Sequence, residues 1–321
     1  MIPFDLLKLN LLSPMVLCFA LGAVARALRS DLRLPEVVYT TLSTYLMLAI
    51  GLKGGVALGE ASLREMALPV LATVILGVGT PLGAFLAAWK LGKLSIADSA
   101  ALAAHYGSVS VVTFIAALSF LDLAGEPAER YLPALVAILE VPAIFVGLLL
   151  AQKASRKEGS LKAAIHEILT GKSVVLLAGG MVIGYATGPV GFERVKPFFA
   201  DPFQGVLCLF LLDMGLVAAS RLGELKKTGK FVVVFGLLTP LVNGALGVAL
   251  GHVAGLSVGG ATALGAMAAS ASYIAAPAAV RIALPEANPS IYLTAAIGIT
   301  FPFNLSVGIP IYYRMAQWFA S

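Results

Sequence analysis

Three stretches of this chain, residues 67–89, 231–251 and 256–280, contain no Asp, Glu, Lys or Arg. Each reaches the ~20 residues that a helix needs to cross the hydrocarbon core of a bilayer. Inside lipid every backbone N–H and C=O must find a partner within protein, so only helices and closed barrels span it. Unbroken apolar runs of this length select helices. Charged residues make up 12% of the chain, where a soluble domain carries about 25%. A large soluble core therefore does not fit the composition, and a polytopic all-α membrane protein does.

The apolar pattern predicts about ten transmembrane helices, near 11–28, 36–57, 66–89, 97–120, 131–152, 172–188, 202–219, 231–253, 258–283 and 289–318. The run from Leu11 to Leu28 contains Pro14 and is followed by Arg29 and Arg33 without a small-residue cleavage site, so it reads as a first span rather than a signal peptide. With the N-terminus outside, the odd-numbered loops and their helix ends hold Arg26, Arg29, Arg33, Lys90, Lys93, Lys153, Arg156, Lys157, Lys162, Lys172, Arg221, Lys226, Lys227, Lys230 and Arg281. The opposite side holds Lys8, Lys53, Arg64, Arg130, Arg194, Lys196 and Arg314. Basic residues concentrate on the cytoplasmic side, which predicts both termini outside. The net charge of +5 thus belongs to membrane flanks and not to a nucleic-acid surface. Lys53, near the outer end of its span, reads as a snorkelling side chain. Cys18 and Cys208 lie in apolar spans without metal-ligand spacing and read as packing residues.

The two halves of the chain resemble each other. GLKGGVALGE (51–60) aligns with GLVAASRLGE (215–224), and GVGTPLGAFLAAWKLG (77–92) with GLLTPLVNGALGVALG (236–251). ALAAHYGSVSVVTFIAA (101–117) aligns with ALGAMAASASYIAAPAA (263–279), and Glu140-Val-Pro142 with Thr300-Phe-Pro302. The order is preserved and the offset stays between 159 and 164. Each copy has five spans, an odd number, so the second enters the membrane from the opposite side. Inverted repeats of this kind belong to secondary transporters, whose sites lie near the midplane on interrupted helices. The expected organisation is residues 1–152 as the first repeat, 153–171 as a cytoplasmic linker and 172–321 as the second repeat.

Spans four and nine read as the interrupted pair. His105-Tyr-Gly107-Ser108-Val-Ser110 interrupts an apolar run, with Thr113 a turn later; Ala269-Ser270-Ala-Ser272-Tyr273 is followed by Pro277, which removes a backbone donor. Two breaks at matching positions bring two helix N-termini together, and free N–H groups at partial positive charge suit a small anion. Close packing by small residues is the competing explanation for each break alone, and the repetition favours binding. His105 reads either as a ligand or as a packed, hydrogen-bonded histidine.

Carboxylates at membrane depth are costly and mark cavities or ion paths. Glu140 lies in the fifth span beside Pro142, and Asp213 in the seventh. Oxygens of Glu140, Thr300 and Asn304, with carbonyls freed by Pro142 and Pro302, would suit an alkali cation; a carboxylate serving backbone donors at a proline kink is the competing reading. Asp213 has no acidic counterpart in the other half, and reads equally as an ion ligand or an interhelical bond.

At these same residues the sequence resembles the sodium-dependent bicarbonate permeases of cyanobacterial type. The resemblance spans LLSPMVLCFALG and RSDLRLPE, YLMLAIGLKGG, YGSVSVVTF, and the stretch from Ala269 through ASASYIAAPAAVRIALPEANPSIYLTAAIGITFPFNLSVGIPIY. It implies a 5+5 inverted-repeat fold like that of sodium/proton antiporters and bile-acid symporters, with two crossing discontinuous helices. It also implies a core domain (spans 3–5 and 8–10) and a gate domain (spans 1–2 and 6–7), a homotrimer, an elevator-type movement and a place in the bacterial inner membrane. Bicarbonate is then expected at Gly107, Ser108, Ser110, Thr113, Ala269, Ser270, Ser272 and Tyr273. Sodium, the coupling ion, is expected at Glu140, Thr300, Asn304, Asp213 and Ser272. The resemblance also leaves room for a PII-like regulatory partner on the cytoplasmic face, although the segment 153–172 is short.

The expected activity is sodium-coupled bicarbonate import without covalent chemistry. No organic cofactor, transition-metal cluster, phosphate loop or nucleophile triad is discernible in the sequence, and 3 His leave little room for a zinc hydratase. Competing readings are sodium symport of another small anion, cation/proton antiport through Glu140 and Asp213, and a non-transporting membrane sensor or scaffold.

Overall fold

The computed structural model describes residues 4–155, 166, 169–223 and 225–321. Most of the expected linker 153–171, with Arg156, Lys157 and Lys162, lies outside the described residues. All regular elements among the described residues are helices: α1 (Phe4–Leu11), α2 (Pro14–Ala27), α3 (Glu36–Glu60), α4 (Leu63–Leu86), α5 (Ile96–Gly107), α6 (Val111–Ala124) and α7 (Leu132–Ser155) in the first half. The second half has α8 (Lys172–Phe199), α9 (Phe203–Leu222), α10 (Leu225–Val253), α11 (Val258–Ala268), α12 (Ala275–Ala283) and α13 (Pro289–Ala320). Among the described residues seven stretches are long and apolar enough to cross a membrane: Glu36–Glu60, Leu63–Leu91, Ile96–Ala124, Lys172–Phe199, Phe203–Leu222, Gly229–Val253 and Pro289–Ala320. The other expected spans coincide with the shorter α2, with α7, and with the broken pair α11 and α12. The expected end of a span at 188 falls on Gly188, whose φ of 60° kinks α8.

Two helix pairs cross at glycines. α3 packs on α8 and α2 on α9. A Cβ at Gly55 would lie 2.1 Å from Met181 O and one at Gly184 2.2 Å from Leu52 O, and Gly22 and Gly215 approach Leu212 O and Phe19 O equally closely. Small residues let backbones touch where lipid gives apolar side chains no incentive to leave it. The remaining long helices form two clusters: α4, α5 and α7 pack on one another, as do α10, α11 and α13. Residues Ala97 and Ser99–Gly107 of α5 are buried, as are Gly259–Ala268 of α11, so each of these helices is enclosed on all sides.

Prolines inside helices leave carbonyls one turn earlier without an N–H, and side chains from distant segments serve them. Pro240 removes the donor for Gly236 O, which accepts from Thr300 Oγ1 at 2.7 Å. Pro310 does the same to Ser306 O, and Asn10 Nδ2 donates to it at 2.8 Å and to Leu305 O at 2.9 Å. α13 adjusts through π-helical stretches at Thr294–Thr300 and Asn304–Gly308, flanking its prolines.

The starts of α5 and α11 are built alike. Ser95 caps α5 by accepting from Asp98 N at 3.0 Å, and Asp98 Oδ1 accepts from Asn288 N, in the loop before α13, at 2.7 Å. Ser257 caps α11 by accepting from Gly260 N at 3.0 Å, and its own N–H donates at 2.6 Å to Glu129 Oε1, in the loop before α7. An acidic side chain near a helix N-terminus is favourable in both places.

Candidate functional site

The two expected interruptions are present in the backbone. α5 ends at Gly107, Ser108 is extended (φ −94°, ψ 150°), and α6 begins after Ser110. α11 ends at Ala268 and α12 begins at Ala275, so residues 269–274 are free of helix. Gly107 must be glycine for steric reasons: a Cβ there would sit 2.7 Å from Pro81. The breaks touch each other directly. Ser110 N donates to Ser270 Oγ at 2.7 Å, and Ser272 N donates to the carbonyl of His105 at 2.8 Å. Each break thus satisfies backbone groups of the other, the condition for irregular backbone deep within a membrane protein.

Most of the serines are engaged with the backbone. Ser110 Oγ caps α6 by accepting from Thr113 N at 3.2 Å, and Ser272 Oγ accepts from Ala276 N, in the first turn of α12, at 3.3 Å. Ser270 Oγ donates to Met267 O at 2.7 Å while accepting from Ser110. Ser108 Oγ is buried without a hydrogen-bond partner among the described residues. The carbonyl of Ala269 accepts from Asn304 Nδ2 at 2.9 Å, and Asn304 Oδ1 accepts from the Tyr312 hydroxyl at 2.8 Å. His105 Nδ1 lies 2.7 Å from Ala101 O, so it carries the proton, and its ring lies over Tyr292 with centroids 4.5 Å apart. His105 is fully buried there, and its Nε2 has no hydrogen-bond partner among the described residues.

A small cavity opens where the breaks meet. Val109, Ser110, Val111, Ser272, Tyr273 and Ile274 line it together with Glu140 of α7 and Ser173 of α8. Its volume is about 10 Å³, the space of one water-sized particle. Glu140 is 1% exposed and its Oε2 has no hydrogen-bond partner among the described residues. The Tyr273 hydroxyl approaches Ser110, and the Ser173 hydroxyl approaches Glu140, but neither completes a well-aligned hydrogen bond. One carboxylate and several hydroxyls around a hole of atomic size form a hard-oxygen donor set, the kind that takes alkali and alkaline-earth cations. A four-atom anion does not fit this hole as it stands. The first turns of α6 and α12 border it and supply the N–H groups an anion would use.

The expected sodium ligands are dispersed. Glu140 and Ser272 share the cavity. Thr300 donates to Gly236 O and accepts from the Tyr106 hydroxyl at 2.6 Å. Asn304 is held between Ala269 O and Tyr312, beside the second break but bonded away from the hole. Asp213 borders a different and larger cavity of about 340 Å³, with Arg26, Ser30, Arg33 and Ser220. Ser173 is the cavity residue the sequence did not single out. A serine next to Lys172 at a helix start carries no sequence signal beyond ordinary capping chemistry.

A family model for the Na+-dependent bicarbonate transporter superfamily matches residues 14–317. The chain belongs to this superfamily. A comparison with curated proteins finds no match. Membership in the superfamily and seven long apolar helices make the chain a multi-pass membrane transporter with sodium as coupling ion. In this member of the superfamily the matched region contains both breaks, Glu140 and Ser173.

Proposed function

We propose that the chain imports bicarbonate together with sodium, by alternating access of a site where the two broken helices meet. The carrying observation is the cavity at that crossing, in which Glu140 Oε2 and the Tyr273 hydroxyl have no hydrogen-bond partner among the described residues and stand beside the starts of α6 and α12. Sodium beside Glu140 would neutralise a buried carboxylate. It would thereby lower the cost of bringing it near an anion held by the N–H groups of the two first turns. Each ligand then favours binding of the other, which is the thermodynamic content of coupling.

We read the architecture as two inverted copies of five spans each, 1–152 and 172–321, in a bacterial inner membrane. The matching caps at Ser95 and Ser257, and the reciprocal contacts of the two breaks, support that reading. An elevator-type movement follows if the clusters α4–α7 and α10–α13 slide against the glycine-crossed pairs α3–α8 and α2–α9. The packing of these groups, generally denser within them than between them, supports the division into core and gate.

Flux into proteoliposomes, with sodium and bicarbonate varied independently, tests the proposal. Uptake of labelled bicarbonate is expected only with sodium on the same side, and Ser108→Ala should raise the bicarbonate KM. Sodium-independent uptake would remove the coupling. Transport driven by a pH gradient without any anion would favour antiport.

A further inference from the structure

The Glu140 cavity is closed by residues from two differently packed parts of the molecule. Seven of its eight lining residues come from α7, the two breaks and the first residue of α6. The eighth, Ser173, stands in the first turn of α8, the helix crossed tightly by α3. Ser173 is 2% exposed, and its Oγ has no hydrogen-bond partner among the described residues although it faces the Glu140 carboxyl. The adjacent Lys172 sends its ammonium elsewhere, to Thr40 O at 2.8 Å and Ser43 Oγ at 2.6 Å on α3, so α8 is anchored to α3 at this level. A buried hydroxyl and a buried carboxylate oxygen, near each other on the wall of one atom-sized hole but without a well-aligned hydrogen bond among the described residues, are poorly compensated for their desolvation. A cation in the hole beside them supplies it.

We propose that Ser173 is a ligand of the coupling sodium ion, so that the cation site is completed across the seam between the α3–α8 pair and the crossing. The inference rests on the sodium-coupled reading above and deepens it. Its consequence is conformational. When the crossing slides away from α8, Glu140, Ser272 and Tyr273 travel with it and Ser173 stays behind. The site loses an oxygen, and sodium binds more weakly in the displaced arrangement. A ligand shifts a two-state equilibrium only through its differential affinity, and Ser173 supplies that difference here. Sodium therefore holds the transporter in the arrangement described, and loss of the Ser173 contact loosens the ion for release.

The test is sodium titration of bicarbonate uptake by purified protein in proteoliposomes, alongside sodium-dependent thermal unfolding in detergent. Ser173→Ala is expected to raise the half-saturating sodium concentration roughly tenfold, the scale of one lost contact to a charged group. Ser173→Thr, which keeps the hydroxyl, should restore the sodium affinity. Ser173→Cys, which keeps the size but offers a soft atom, should resemble the alanine variant and serves if alanine does not accumulate. The thermal shift produced by a fixed sodium concentration should fall in the same order, since stabilisation follows occupancy. An unchanged or lower half-saturating sodium concentration in both Ser173→Ala and Ser173→Cys overturns the proposal. If the unsubstituted protein itself ignores sodium, it is the coupled reading that fails.

Discussion

Glu140 and Thr300 occupy matching places in the alignment of the two halves, each two residues before a proline, and the chain uses them in opposite ways. Thr300 is fully employed: its hydroxyl donates to the carbonyl that Pro240 strands and accepts from Tyr106. Glu140 is just as buried, and its Oε2 has no hydrogen-bond partner among the described residues. Gly236 and Gly77 are equivalent in the alignment, and each packs beside the helix that carries its partner, Ile299 next to Thr300 and Leu139 next to Glu140. Similar surroundings therefore hold a satisfied hydroxyl in one half and an unsatisfied carboxylate in the other. The first looks after the fold. The second keeps its negative charge only if a cation binds beside it, because an unpaired buried carboxylate otherwise takes up a proton.

The comparison breaks most directly at Glu140. Glu140→Gln keeps the shape and removes the charge, so bicarbonate uptake at limiting sodium should fall by about 100-fold, the scale of losing a charged ligand worth 2–3 kcal/mol. The unfolding temperature in sodium-free detergent should stay level or rise, since a desolvated charge has been removed. A glutamine variant that transports normally would mean the carboxylate serves only the kink at Pro142.

The opposite outcome is expected at the matched position. Thr300→Val keeps the volume but leaves Gly236 O and the Tyr106 hydroxyl unpaired, which should cost about 1–3 kcal/mol of stability. Its half-saturating sodium concentration should not move. Unfolding in detergent and sodium titration of uptake, run on both variants, separate the two roles. Equal effects on sodium affinity from Thr300→Val and Glu140→Gln would erase the distinction.

Local polarity and spacing made much of this legible in the sequence, and the remainder depended on distant partners. The breaks at 107–110 and 269–274 announce themselves because Gly and Ser interrupt apolar runs twice at one offset. Glu140 stands out because it is a charge where none is expected. What the hydroxyls do was not legible. Ser110 and Ser272 cap the helices that follow them, and Thr300 and Asn304 bond to Gly236, Tyr106, Ala269 and Tyr312, residues supplied by four separate segments. A side chain's remaining bonding capacity is a tertiary property. The same reason hid Ser173, which matters only because α8 begins where α7 brings Glu140.

Asp213 sharpens the comparison by its smallness. It shares with Glu140 the property that drew notice, a carboxylate within an apolar span, yet it faces a wide cavity bordered by Arg26 and Arg33 rather than the closed hole at the crossing. It shares that cavity with two guanidinium groups and lies outside the hole at the crossing, so it is not among the oxygens that would hold the ion there. Asp213→Asn should therefore change the half-saturating sodium concentration by less than about twofold, under about 0.5 kcal/mol, because it removes no oxygen from the hole. A shift as large as that of Glu140→Gln would put Asp213 on the ion's route and make the cavity beside Arg26 part of the transport path. If the shift is absent, one carboxylate carries the cation, and depth in the membrane matters less than whether the hole around the charge is closed.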